Sequence, residues 1–164
     1  MRVFTEQQRF DQWWFRALML LAFATIVFAI VATLPEIDTE SIEFWVLLVS
    51  MAITIPVMVM ITFYMRLDTK IDEQGVHYGF KPFHLSFKLI PWHDITECYV
   101  RKYSPIGEYG GWGYRMIGRR NGKALNVTGN IGIQLVFKNN KRLLIGTQKE
   151  DDAKRTIETY KHKI

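Results

Sequence analysis

The chain has 164 residues, room for one small body beside any membrane-embedded part, and carries a net charge of +5 with 49% hydrophobic residues. A single cysteine, Cys98, excludes an internal disulfide and with it any disulfide-stapled scaffold. The charge is unevenly placed: residues 1–16 sum to +1, residues 35–43 hold Glu36, Asp38, Glu40 and Glu43 without a base, and residues 66–164 sum to +8.

Residues 1–16 predict a juxtamembrane helix rather than a cleavable leader. Their head carries acids, and Thr5 with Gln8 fits a capping box. Two apolar runs follow, Ala17–Leu34 and Phe44–Met65, free of charge between positions 17 and 65 except for the four acids at the connection. At about 1.5 Å rise per residue, each is long enough for a hydrocarbon core of about 30 Å. Residues 17–65 therefore predict a transmembrane hairpin with an outside loop over 35–43. Trp13, Trp14 and Arg16 at its entrance, Trp45 at the outer interface, and Tyr64 and Arg66 at its exit are the expected headgroup contacts. Small residues, among them Ala22 and Ala29, favour close helix approach, and Pro56 predicts a kink. Lys and Arg are retained on the cytoplasmic side. Both termini are thus expected in the cytoplasm, at an inner membrane crossed twice.

From Leu67 the apolar period falls to two. Seven strands are expected, at about 75–81, 85–91, 95–103, 112–119, 123–128, 131–138 and 141–146. Asn121-Gly122 suits a two-residue hairpin turn, Asn139-Asn140 a weaker version of it, and Thr128-Gly129-Asn130 a third turn. A closing helix is expected from a Thr147/Glu150 capping box, with Ala153, Ile157, Tyr160 and Ile164 on its apolar stripe.

Seven short antiparallel strands before one C-terminal helix resemble the pleckstrin-homology (PH) fold. Ile90-Pro91-Trp92-His93-Asp94-Ile95, Tyr109-Gly110-Gly111-Trp112-Gly113 with Tyr114-Arg115, and Ile145-Gly146-Thr147-Gln148 are similar to bacterial PH-like domains that follow transmembrane segments. The resemblance covers roughly residues 67–164. It implies an all-β, partly open barrel closed by the C-terminal α-helix, beside a membrane α-helical hairpin. The phosphoinositide cluster of eukaryotic PH domains is matched only thinly, by Lys81, His84 and Lys88.

No catalytic constellation is present. The four histidines lack metal-ligand spacing, and Gly107–Gly113 lacks the lysine ending of a phosphate-binding loop. No cofactor, metal or nucleic acid is expected. Arg101, Lys102, Arg115, Arg119, Arg120 and Lys123, with Tyr109 and Trp112, are the candidate contacts for anionic lipid headgroups or a membrane-protein partner. The expected role is that of a non-enzymatic interaction or scaffolding module at the bilayer. Two alternatives are an accessory subunit of a transport or sensing complex and an enzyme using His93 and Asp94.

Overall fold

A computed structural model describes residues 2–10, 13–33, 41–115 and 122–164. The chain divides into two compact units. One is Phe10–Met65; the other joins Met1–Arg9 to Arg66–Ile164.

The first unit is helical. Helix α1 spans Trp13–Thr33 and α2 spans Ile42–Val59. Ser41 caps α2 by accepting the Phe44 N–H at 3.3 Å. Pro56 lies inside α2, and a π-helical turn, Met60–Tyr64, begins four residues later. A proline cannot donate to the carbonyl one turn back, so a widened turn is a natural sequel. No residue of α2 is buried. Leu20, Phe28, Ile42 and Ile53 are 69%, 76%, 72% and 61% exposed. One stripe on each helix is half-covered: Phe15, Met19, Ala22, Ile26 and Ile30 on α1, and Phe44, Leu47, Met51, Thr54 and Met58 on α2. Steps of three and four residues are those of helices running along one another. Of the two small residues named from the sequence, Ala22 lies in the stripe, while Ala29 is exposed. Both helices are long and apolar enough to cross a membrane.

The second unit holds two sheets and two further helices. The first sheet has the order β1-β2-β3-β4, all antiparallel, from Phe4–Arg9 (β1), Arg66–Ile71 (β2), Gly75–Lys81 (β3) and Lys88–Pro91 (β4). The second contains Ile95–Lys102 (β5), Gly113–Arg115 (β6), Lys123–Asn126 (β7), Ile131–Phe137 (β8) and Arg142–Gly146 (β9), ordered β5-β8-β9-β7-β6. The β7–β9 pair is parallel. Short helix α3, Pro105–Tyr109, follows β5, and α4, Glu150–Tyr160, ends the unit. The core gathers Leu67, Ile71, Val76, Phe80, Ile95, Leu125, Ile133, Leu135, Leu144 and Ile145, all nearly inaccessible. Helix α4 buries Ala153, Thr156, Ile157 and Tyr160, and Trp92 stacks on Tyr160 with centroids 5.7 Å apart. Ile164 lies outside that stripe, 38% exposed.

Several expectations are corrected. Residues 4–9 are a strand, not part of a helix: Phe4, Glu6 and Gln8 point inward, and the whole segment pairs with β2 from Phe4↔Ile71 to Arg9↔Arg66. Strand β2 itself was not foreseen, because Asp68 and Thr69 are buried within it and break the apolar alternation. The chain thus makes nine strands among the described residues, in two sheets that do not form a closed barrel. The expected strand 85–91 is ordered as a strand only from Lys88. An unbroken hairpin with Asn121-Gly122 as its two-residue turn would set Arg115 opposite Thr128. Arg115 instead pairs with Ala124, and Asn121 lies outside the described residues. The Asn139-Asn140 turn is a three-residue loop. Phe137 and Lys141 close it, and Asn140 takes φ 59°. Thr147 does not cap α4; Lys149 occupies that position without a side-chain bond.

Candidate interaction surface

The residues expected at a bilayer interface separate into two groups. Trp13, Trp45 and Tyr64 are 80%, 58% and 66% exposed, and Arg16 is exposed at the start of α1. The Trp14 side chain lies outside the described residues. Arg66 opens β2 and pairs with Asp68 at 3.1 Å, so it belongs to the sheet.

The basic set is not one patch. Arg101 is locked inside the second unit. It donates to both Glu108 carboxylate oxygens (3.2 and 2.7 Å), to the Gln134 side-chain oxygen (3.0 Å) and to the Tyr109 hydroxyl (3.2 Å). The Glu108 bond holds the guanidinium above its ordinary pKa, and Arg101 holds the Glu108 carboxyl below its own. A guanidinium so engaged has few protons left for a headgroup. Lys102, Arg115 and Lys123 are exposed. Lys102 ends β5 at one edge of the second sheet; Arg115 and Lys123 sit on β6 and β7 at the other edge. Four strand spacings of about 4.8 Å separate the edges, roughly 19 Å. Arg119 and Arg120 lie outside the described residues.

The two aromatic candidates, Tyr109 and Trp112, are not presented together on the surface. Ser104 caps α3 through the Gly107 N–H, Pro105 opens it, and Gly110 ends it in the left-handed conformation at φ 72°. That short helix turns Tyr109 inward, 5% exposed, against Tyr103, Ala124 and Leu144. Burial raises the Tyr109 pKa and pushes Tyr103 up to about 12. Trp112 is half-buried, donating to the Gly129 carbonyl at 3.0 Å. Tyr114 belongs to a separate cluster with Phe80, Phe83 and His84.

His93 and Asp94 are 3.4 Å apart, but 76% and 57% of their side chains face solvent, so the contact is an exposed one between neighbours in sequence. Cys98 is buried, and burial pushes its thiol up to about 12. Among the described residues, no three His, Cys, Asp or Glu side chains are grouped to hold a metal ion.

Two polar clusters fix the architecture. Asp72 accepts from Lys70 (2.9 Å), His77 (3.1 Å) and the Gln74 N–H (2.9 Å). Burial pushes this carboxyl up, but those bonds outweigh it together and bring it to about 2. Glu6 accepts from the Thr147 hydroxyl at 2.6 Å and the Gln148 N–H at 2.8 Å, fastening β1 to the turn before α4.

The sequence reading missed the surface of the β3–β4 connection. Phe83, Leu85, Phe87 and Leu89 are 57%, 94%, 54% and 46% exposed. Their alternation had the look of a half-buried strand, but the apolar side faces outward at Leu85 and Phe87. Lys81 and Lys88 flanking a proline-started apolar run were the available signal. His84 alone turns inward. Its Nδ1 accepts the Phe80 N–H at 3.2 Å, leaving Nε2 to face the Tyr114 hydroxyl at 3.3 Å, and burial lowers its pKa, with Lys88 adding to the effect.

The chain matches no protein-family model, no curated protein and no solved structure.

Proposed function

We propose that α1 and α2 cross a cytoplasmic (inner) membrane as a hairpin, with both termini and the two-sheet body in the cytoplasm. The body serves there as a non-enzymatic, PH-like interaction or scaffolding module. The observation that carries this reading is the pairing of β1 with β2. The segment before α1 and the segment after α2 share one sheet, so they lie on one side of any membrane, and the crossings between them are even in number. Apolar side chains exposed around both helices call for an apolar surrounding. The acidic connection and the basic ends favour the cytoplasm for the body. A four-strand antiparallel sheet, a second sheet and a C-terminal helix support the PH-like reading; the parallel β7–β9 pair departs from it.

The test uses an impermeant thiol reagent on intact cells carrying Asp38→Cys or Asn140→Cys in the full chain. Labelling at 38, and at 140 only after permeabilisation, is the expected pattern. The reverse pattern would refute the orientation. In-cell cross-linking from Lys102 or Lys123 should trap lipid or a membrane-protein mate; recovery of neither would refute the interaction role.

A further inference from the structure

The register of the first sheet brings three cations to one end. Arg9 lies opposite Arg66, and Arg66 opposite Lys81, so they form a row across β1, β2 and β3 about 10 Å long. Like charges facing one another across strands are unfavourable, and among these three only Arg66 has a carboxylate beside it, Asp68, in the described geometry. A row of this kind is suited to an anionic surface. The same end is where the chain departs for α1, after Arg9, and where it returns from α2, before Arg66.

The β3–β4 loop leaves from this end as well, directly after Lys81. Its tip presents Leu85, almost wholly exposed, between Phe83 and Phe87, and Lys88 follows. The loop is held in shape. The His84 N–H donates to the Phe80 carbonyl at 2.8 Å, the His84 ring is bonded within, and Phe83 stacks on Tyr114 at 5.2 Å with planes 14° apart. An apolar tip braced at its base by Phe83 and His84 loses less conformational entropy on entering a lipid interface than a free loop would. Burying three large apolar side chains there is favourable, and nearby lysines and arginines gain from anionic headgroups.

We propose that the Phe83–Phe87 tip is a lipid-inserting wedge, seated in the interfacial layer of an anionic leaflet with Arg9, Lys81 and Lys88 among the headgroup phosphates. This rests on the reading that α1 and α2 span the membrane, and adds a third point of membrane attachment.

The test is site-directed spin labelling of the full chain in nanodiscs of phosphatidylglycerol and phosphatidylcholine. Cys98 needs no replacement, being buried with a thiol raised to about 12. Labels at Leu85→Cys, at Glu73→Cys in the β2–β3 turn, and at Phe28→Cys and Ile53→Cys on the helices are compared. Relaxation by oxygen reports lipid; relaxation by a neutral water-soluble nickel chelate reports water. The label at 85 should favour oxygen, as at 28 and 53, and the label at 73 should favour nickel. In nanodiscs of phosphatidylcholine alone the label at 85 should shift toward nickel. Nickel preference at 85 with oxygen preference at 28 and 53 would overturn the wedge and leave the spans intact. Nickel preference at all four sites would overturn the spans themselves. Protection of 85 from both relaxants would mean a protein contact and overturn the wedge. Equal oxygen preference at 85 in both lipid mixtures would overturn the part assigned to the cation row.

Discussion

Glu6 offers a direct measure of how firmly the N-terminal strand is tied to the body. Its carboxylate is 7% exposed as a residue and accepts two hydrogen bonds, 2.6 Å from the Thr147 hydroxyl and 2.8 Å from the Gln148 N–H. A hydrogen bond to a charged group contributes about 1.5–3 kcal/mol net, so the pair sums to about 3–6 kcal/mol. The Thr147 hydroxyl can rotate to another acceptor, which favours the lower end. Glu6→Ala should therefore cost about 3 kcal/mol, and Glu6→Gln, which keeps one acceptor oxygen, about half as much. Hydrogen–deuterium exchange of the full chain in nanodiscs reads this at the Gln148 amide itself. Protection there should fall about a hundredfold for Glu6→Ala and about tenfold for Glu6→Gln, at 1.4 kcal/mol per decade. Residues 4–9 should lose protection in parallel. Glu158→Ala, on an exposed face of α4, should change neither. Unchanged exchange at Gln148 in Glu6→Ala would refute the tie and the placement of β1 with it.

Asp72 should make the body acid-sensitive in a narrow window. Its folded carboxyl is held at about 2, below the ordinary value of 3.8 for an aspartate, so its stabilisation is full above pH 4 and is lost as pH falls through 2. The amount is about 2 kcal/mol, and Asp72→Asn should flatten the fall in unfolding midpoint between pH 5 and 2. Cys98 should resist alkylation at pH 8 in the folded chain and react on denaturation; equal rates in both states would contradict its burial. Gly75→Ala should cost about 3 kcal/mol or more, measured as lost amide protection in β3 and β4. The residue has φ 153°, and a Cβ there would stand 2.0 Å from the Ile90 carbonyl oxygen.

What was legible in the sequence followed from local patterning. The helices α1 and α2 announce themselves by uninterrupted apolar runs, β3, β5 and β8 by alternation, and β9 by a short apolar run, Leu143–Ile145, that is buried throughout. Helix α4 shows its stripe at Ala153, Ile157 and Tyr160. Strand β1 was hidden because two of its three inward residues, Glu6 and Gln8, are polar, and because its partner lies beyond both helices. Gln7 meets Asp68 across 61 positions of chain. Burial of Glu6 is made tolerable by groups at 147 and 148, which no local window connects to it. The basic cluster failed for a related reason. Composition counts charges but does not pair them, and Arg101 finds Glu108 only because α3 folds back along the end of β5. The Ser104-Pro105 start and Gly110 stop of α3 were readable, and would have taken Tyr109 out of the exposed set.

The body is written in the gene as two pieces. Its first strand is translated before either helix, and the partner of that strand only after both. At roughly 5–20 residues per second, a ribosome spends about 3–11 s between Arg9 and Arg66. Throughout that interval Phe4–Arg9 has no partner, and Leu67–Ile71 emerges with an open edge awaiting it. If α1 and α2 span the membrane as proposed, a molecule in which one helix failed to insert would leave the two pieces on opposite faces of the lipid. Its first sheet would then keep three strands and an unpaired β2 edge, open to pairing with another chain.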